Sequence, residues 1–412
     1  MNEACSQMTP SRRAALGAAG ALFGWSFLPR FAFAAGARDA RLIVVVLRGA
    51  LDGLAAVPPI GDPDYAALRG PLALAATGEG AALPLDGFFA AHPATPAFAR
   101  LFRERQALIV HAAATGYRER SHFDGQDVLE SGRNSPAMVE SGWLNRVVAA
   151  LPAGAPTARR GALGVGVTAP LIVRGPAPVL GWAPPNLPPA GDDLVRRLGD
   201  LYGQTDPALS RALARAVETE AIASAQKLGG AENRARGGPA TPQGMAQIAA
   251  AAARLVAAED GPRIAALAFE GWDTHADEGG ATGRLATLLG GLDQAFAAFE
   301  SGLKAVWADT AILVLTEFGR TARINGTIGT DHGVGTVAYL VGGAVRGGRV
   351  VADWPGLKDE QLYERRDLKP TTDVRAVCKG VVADLFGLSG MVLAERIFPD
   401  TAAIGPMKGL VA

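Results

Sequence analysis

Residues 310–335, TAILVLTEFGRTARINGTIGTDHGVG, constrain this chain more than any other stretch. The run from Thr310 to Thr316 is almost wholly apolar and rich in branched side chains. That is the pattern of a strand covered on both faces in a parallel sheet. Charge begins where the run stops: Glu317, Arg320 and Arg323, then the glycine-spaced segment 325–330, then the adjacent pair Asp331 and His332. Ligands of open parallel sheets sit outside the carboxyl ends of the strands, so this delivery of charge predicts a polar site there. The competing reading makes Glu317 a helix cap and the arginines solvated. Charged groups this dense rarely follow a core strand without a ligand or a partner.

Other runs feed the same edge. Residues 41–47, RLIVVVL, predict a central strand, and Asp52 sits in the loop that follows, either as a turn-forming Asp-Gly or as a site residue. Residues 107–111 predict a further buried strand, ending at His111, which can face core or site. Next comes TGYRERSHFDGQD, residues 115–127, a basic loop entering a helix. Ser121 stands at the helix start, where free N–H groups and the positive dipole end stabilise a nucleophilic hydroxyl or a bound anion; a plain N-cap role fits the local sequence equally well. Residues 263–269 predict a strand that leads into GWDTHADE, with Asp273 and His275 one residue apart. A carboxylate beside a neutral imidazole is a donor mixture that zinc and related borderline ions accept. His92, beside a helix start, reads as structural, and Cys378, in an apolar helical stretch, as core filler.

At 412 residues the chain suits one α/β core with insertions. Forty basic and forty acidic residues balance, which argues against nucleic acid or an anionic membrane surface as the main partner. Ser11-Arg12-Arg13 before the apolar residues 14–28, with Ala32-Phe33-Ala34 beyond, resembles a twin-arginine export signal over residues 1–35. The apolar run is too short and too rich in Gly and Ala for a membrane span, so a cleaved, periplasmic or extracellular protein without a stable membrane span is expected. Residues 36–412 then form one domain. Within it, 160–170 and 171–173 predict short strands, 175–191 an irregular Pro/Gly excursion, 192–228 a helical stretch and 231–243 a linker; 175–245 together read as an inserted helical cap.

Asp52, Ser121, His122, Asp273, His275, Glu317, Asp331 and His332 all follow predicted core strands. Gathering so many ionisable groups is costly unless a cation or substrate neutralises them, which predicts a metal centre of one or two divalent ions, the two being roughly 4 Å apart. Zinc, manganese, magnesium and calcium are not distinguished by this donor set. Arg118, Arg120 and Arg320 are placed to bind the oxygens of a small tetrahedral anion as substrate.

The twin-arginine start, LRGALDGL, SHFDGQD, GWDTH, TEFGRT, TDHG and GGAVRGGRVVADWPGL resemble the exported bacterial domain-of-unknown-function family 1501 over nearly the whole mature chain. That family is grouped with the alkaline phosphatase and sulfatase superfamily. The resemblance implies an alkaline-phosphatase-like α/β core, a mostly parallel central sheet with helices on both faces. It implies Ser121 as nucleophile, with His122 and Arg320 beside it as catalytic candidates, and metal ligands among Asp52, Asp273, His275, Glu317, Asp331 and His332. Superfamily enzymes often carry Asp-His where this chain has Glu317-Phe318, so one imidazole is missing; His122 replaces it, or a single metal binds. The expected activity is hydrolysis of phosphate or sulfate esters by an exported, metal-dependent enzyme. The alternative is a non-catalytic exported protein that keeps the fold and an incomplete site and binds an exported protein partner.

Overall fold

A computed structural model describes residues 39–137, 139–152, 161–166, 169–184, 192–228 and 238–412. The expected export signal and most of the expected linker lie outside the described residues. Strand β1 (Arg41–Leu47) is buried along its whole length, and the pleat sends alternate residues to opposite faces. Ile43, Val45 and Leu47 pack with side chains from the helices Pro242–Ala257 and Arg284–Gly302. Leu42, Val44 and Val46 pack with side chains from Trp143–Ala150 and Val374–Phe386. Both faces are therefore covered, which is why the strand shows no polar alternation in sequence.

The remaining strands in chain order are β2 (Leu83–Pro84), β3 (Ala90–Ala91), β4 (Ala107–Ala114), β5 (Ala162–Val165), β6 (Val179–Trp182), β7 (Ile264–Phe269), β8 (Thr310–Thr316), β9 (Thr336–Val341), β10 (Arg349–Val351) and β11 (Thr372–Asp373). Nine of them form one sheet in the order β10-β4-β9-β8-β1-β7-β5-β6, with β11 beside β4; β2 and β3 pair separately. β8, β1, β7, β5 and β6 are parallel, and β9 is antiparallel to both β8 and β4. The fold is thus α/β with a mostly parallel mixed sheet flanked by helices. β4, β8, β1 and β7 all point the same way, so the segments after them open at one edge. The chain re-enters through antiparallel β9, which brings the residues just before Thr336 to that edge as well.

Several expectations change. Residues 171–173 are a 3-10 turn after Pro170, not a strand; three apolar residues are too short a run to fix a period. The Pro/Gly segment contains β6, an edge strand, where prolines are tolerated. The helical stretch 192–228 is two helices, Asp192–Thr205 and Pro207–Ala225, broken where the Asp206 carboxylate caps the N–H groups of Ala208 and Leu209. Ala223 and Leu228 join the same core cluster as Leu180 and Trp182 of β6. His111 faces the core: its Nε2 lies 2.9 Å from the Val57 carbonyl, its Nδ1 accepts the Ala112 N–H, and burial pushes its pKa down to about 4. Cys378 is buried and unpaired, and burial pushes its thiol up, as core filler requires. No helix among the described residues is long and apolar enough to cross a membrane.

Tyr339, on β9, meets Phe98 edge-on with ring centroids 5.1 Å apart, and its hydroxyl is buried without a hydrogen-bond partner. A buried hydroxyl without a partner carries a desolvation penalty of about 1–3 kcal/mol. Tyr339→Phe is expected to raise the unfolding free energy by about 1 kcal/mol in a denaturant titration. A fall of that size would mean that the hydroxyl has a partner, such as a buried water.

Candidate metal centre

Loops from β1, β7 and β8 are stitched together at the open edge. Gly49 has φ +119° and approaches the β7 loop so closely that a Cβ there would lie 2.5 Å from the Asp273 nitrogen, a place only glycine can occupy. The Trp272 N–H donates to the Arg48 carbonyl, and the Thr330 N–H to that of Thr274. Gly329 presses on the same loop, a Cβ there falling 2.3 Å from the His275 carbonyl oxygen. Asp273 and His275 are therefore fixed between the β1 loop and residues 325–333.

Three imidazoles converge on Asp273. His122 begins the helix His122–Ser131 after β4, His275 follows β7, and His332 precedes β9. Their Nδ1 atoms point outward to acceptors. His122 Nδ1 lies 2.8 Å from Glu317 Oε1, His275 Nδ1 3.3 Å from Asp331 Oδ1, and His332 Nδ1 2.9 Å from the Arg120 carbonyl. Carboxylates and carbonyls only accept, so each Nδ1 carries the proton and each neutral ring presents a bare Nε2 lone pair inward. His275 Nε2 and His332 Nε2 stand 3.0 Å apart, and lie 3.1 and 3.3 Å from Asp273 Oδ1. His122 Nε2 is 3.5 Å from Asp273 Oδ2, buried and without a hydrogen-bond partner.

Lone pairs facing lone pairs and a carboxylate are repulsive unless a proton or a cation lies between them. Asp273, His122 and His332 each offer a ligand atom within 4.8 Å of the others. A tetrahedral ion with bonds of about 2.0–2.1 Å spaces neighbouring ligand atoms about 3.3 Å apart. His122, Asp273 and His332 are therefore close enough to be a candidate site for one divalent ion, with His275 beside them.

Electrostatics agree. Burial raises Asp273, but the Arg320 guanidinium bonded to it outweighs that and holds the carboxyl below its usual range. Burial likewise raises Glu317, and the bonds from His122 and from the Gly49 N–H reverse the direction. The bond to Glu317 raises His122, whereas burial lowers His332.

The other sequence candidates stand outside this group. Asp52 is buried with both oxygens engaged: Oδ1 accepts the Leu54 and Ala55 N–H groups, and Oδ2 is ion-paired with Arg69. It caps a helix rather than pointing at the imidazoles. Glu317 and Asp331 sit one bond further out, as the acceptors that orient His122 and His275. Arg320 is buried and donates to Asp273, Thr330 Oγ1 and the Thr330 carbonyl, so its guanidinium is committed within the protein. Arg120 is likewise paired with Glu364 and Asp367, Arg323 with Asp359, while Arg118 donates to the Thr115 and Tyr117 carbonyls. Ser121 is the N-cap residue but makes no side-chain cap bond; its N–H donates to the Tyr117 hydroxyl.

Three contributors escaped the sequence reading: the Arg120 carbonyl that fixes His332, and the side chains of Glu278 and Thr330 behind Arg320. Arg120 has φ +59°, unusual for a residue with a side chain, and no sequence pattern announces it. For Glu278 the one available signal was its place in the GWDTHADE segment; its burial is visible only in the structure.

In metal-free protein, NMR titration is expected to show His122 deprotonating above the ordinary histidine pKa and His332 below it. Sign follows from cause: the His122–Glu317 contact contributes stability fully below the unfolded histidine pKa and loses it as pH rises through the raised folded value. Glu317→Gln should return His122 towards the ordinary value. Coincident titration of the two rings would contradict this assignment.

Among solved structures, the chain resembles Ps i-CgsB in complex with k-i-k-neocarrahexaose at 12% identity and TM-score 0.35, covering 76% of this chain and 68% of that one. It also resembles the phosphonate monoester hydrolase of Agrobacterium radiobacter at 11% identity and TM-score 0.30, covering 84% and 72%. No curated protein matches it. A family model described as "Protein of unknown function (DUF1501)" matches residues 112–397, and the chain belongs to this family.

Proposed function

We propose that this protein is an exported, metal-dependent hydrolase of phosphate or sulfate esters that holds one divalent ion on His122, His275, His332 and Asp273. The observation that carries the reading is the convergence of three bare imidazole nitrogens on one carboxylate, each ring held by an acceptor at Nδ1. A bound zinc-class ion supplies Lewis acidity towards an ester oxygen. Glu317, Asp331 and the Arg120 carbonyl keep the rings in the tautomer that binds and fix their planes. Ser121 precedes His122 at a helix start, makes no side-chain cap bond, and is the candidate nucleophile; the N–H groups of that helix favour a developing anion beside it. Of residues 175–245, β6 belongs to the sheet edge, and the helices Asp192–Thr205 and Pro207–Ala225 are the proposed cap. Asp52 is assigned a structural role, which favours one ion over the two also expected.

One observation favours the second reading, an exported binding or assembly protein with a structural ion. Arg120 and Arg320, expected to grip an anion, are each paired with a carboxylate of the chain itself, and Arg118, expected to do the same, donates to two backbone carbonyls.

The test is turnover by metal-loaded protein of a panel of aryl phosphate, phosphonate and sulfate esters. Hydrolysis of at least one class is expected, with Ser121→Ala and His332→Ala each lowering kcat/KM by about 100-fold or more. Metal-loaded protein that turns over none of them would favour the binding role.

A further inference from the structure

Behind Asp273 lies a buried polar chain with no place in the ligand set. Arg320 Nη1 donates to Asp273 Oδ1, and its Nε donates to Thr330 Oγ1 at 3.1 Å. Arg320 Nη2 donates to the Thr330 carbonyl, so one residue engages two of the guanidinium's three nitrogens. Arginine has no acceptor, which forces the direction of the next bond: the Thr330 hydroxyl, accepting from Nε, gives its own proton to Glu278 Oε2 at 2.7 Å. Glu278 Oε1 lies 3.9 Å from Arg69, and Arg69 is paired with Asp52. All five of Asp52, Arg69, Glu278, Arg320 and Thr330 are essentially inaccessible to solvent.

We propose that Thr330 and Glu278 are positioning residues for the metal centre, locking the Arg320 fork so that it holds Asp273 at the angle the ion requires. The inference rests on the metal-dependent reading above and deepens it. Asp273 is the most constrained donor in the group geometrically, because its Oδ1 faces two imidazole nitrogens and a guanidinium at once. A guanidinium free to rotate would offer Asp273 a different N–H, or none, and the carboxylate could turn away from the rings. Thr330 prevents this by holding Nε and Nη2 together, which keeps Nη1 directed at Asp273. Glu278 in turn fixes the rotor of the Thr330 hydroxyl, which must accept on one side and donate on the other. Arg69 and Asp52 anchor the far end, giving the Asp52 segment after β1 a part in the site without ligation.

Outer partners of this kind typically change metal affinity by about 10–100-fold when removed. The test titrates metal-free protein with cobalt(II), reading affinity and visible ligand-field bands. Thr330→Val, nearly isosteric but without the hydroxyl, is expected to bind about 10–100-fold more weakly and with shifted bands, while Thr330→Ser restores both. Glu278→Gln, which keeps an acceptor oxygen, should stay within a few-fold of the parent. Glu278→Met, which removes it, should behave like Thr330→Val and carries the comparison if that variant does not fold. Circular dichroism confirms that the variants compared are folded. A folded Thr330→Val or Glu278→Met with parental affinity and spectrum would overturn the positioning role. Failure of the parent protein to bind cobalt would instead overturn the metal reading beneath it.

Discussion

Two imidazole nitrogens, His275 Nε2 and His332 Nε2, stand 3.0 Å apart, and neither has a proton to give while both rings are neutral. The groups around them fix which ring nitrogen carries the proton. The protons sit on the opposite ring nitrogens, held by Asp331 and by the Arg120 carbonyl, and His122 repeats the arrangement through Glu317. A cation at the centre converts these repulsions into ligation; without one, a ring must take up a proton. The candidate metal site and the acceptors behind the rings are therefore one device. The acceptors choose the tautomer, and the tautomer makes the site.

The sheet supplies the placement. β4, β8, β1 and β7 point the same way and β9 returns between β4 and β8, so segments far apart in sequence deliver their side chains to a single edge. Burial and neighbouring charge then set which carboxylates stay ionised there. Asp52, Glu278, Arg69 and Arg320 are buried together, while Asp273 stands partly exposed at the edge, bonded to Arg320. Burial, reinforced by Asp52, pushes Glu278 up to about 8, whereas at Asp52 burial is outweighed by the Arg69 guanidinium, which holds that carboxyl low.

Sequence disclosed the scaffold where strands are long and covered on both faces, as in residues 41–47 and 310–316. It was silent on β6, whose few residues lie among prolines, and it misread residues 171–173, where three apolar side chains could belong to a strand or a tight turn. His122, Asp273, His275 and His332 were all named from their positions after or before strands, and the structure brings them together. Position could not separate them from Asp52, Glu317 and Asp331, which share the same edge. The difference is side-chain direction: Glu317 turns towards the Gly49 N–H and the Thr316 hydroxyl, and Asp52 towards the turn it caps. For Glu317 that choice depends on a neighbour hundreds of residues away, Gly49 lying 268 positions from it.

X-ray absorption at the metal edge, on protein purified without chelator and matched with its elemental content, tests the central claim most directly. One equivalent of a divalent transition metal with a first shell of nitrogen and oxygen at about 2.0–2.1 Å, and the outer-ring scattering of roughly three imidazoles, is the predicted result. Folded protein that neither carries nor takes up such an ion, or an ion bound without imidazole scattering, would contradict it.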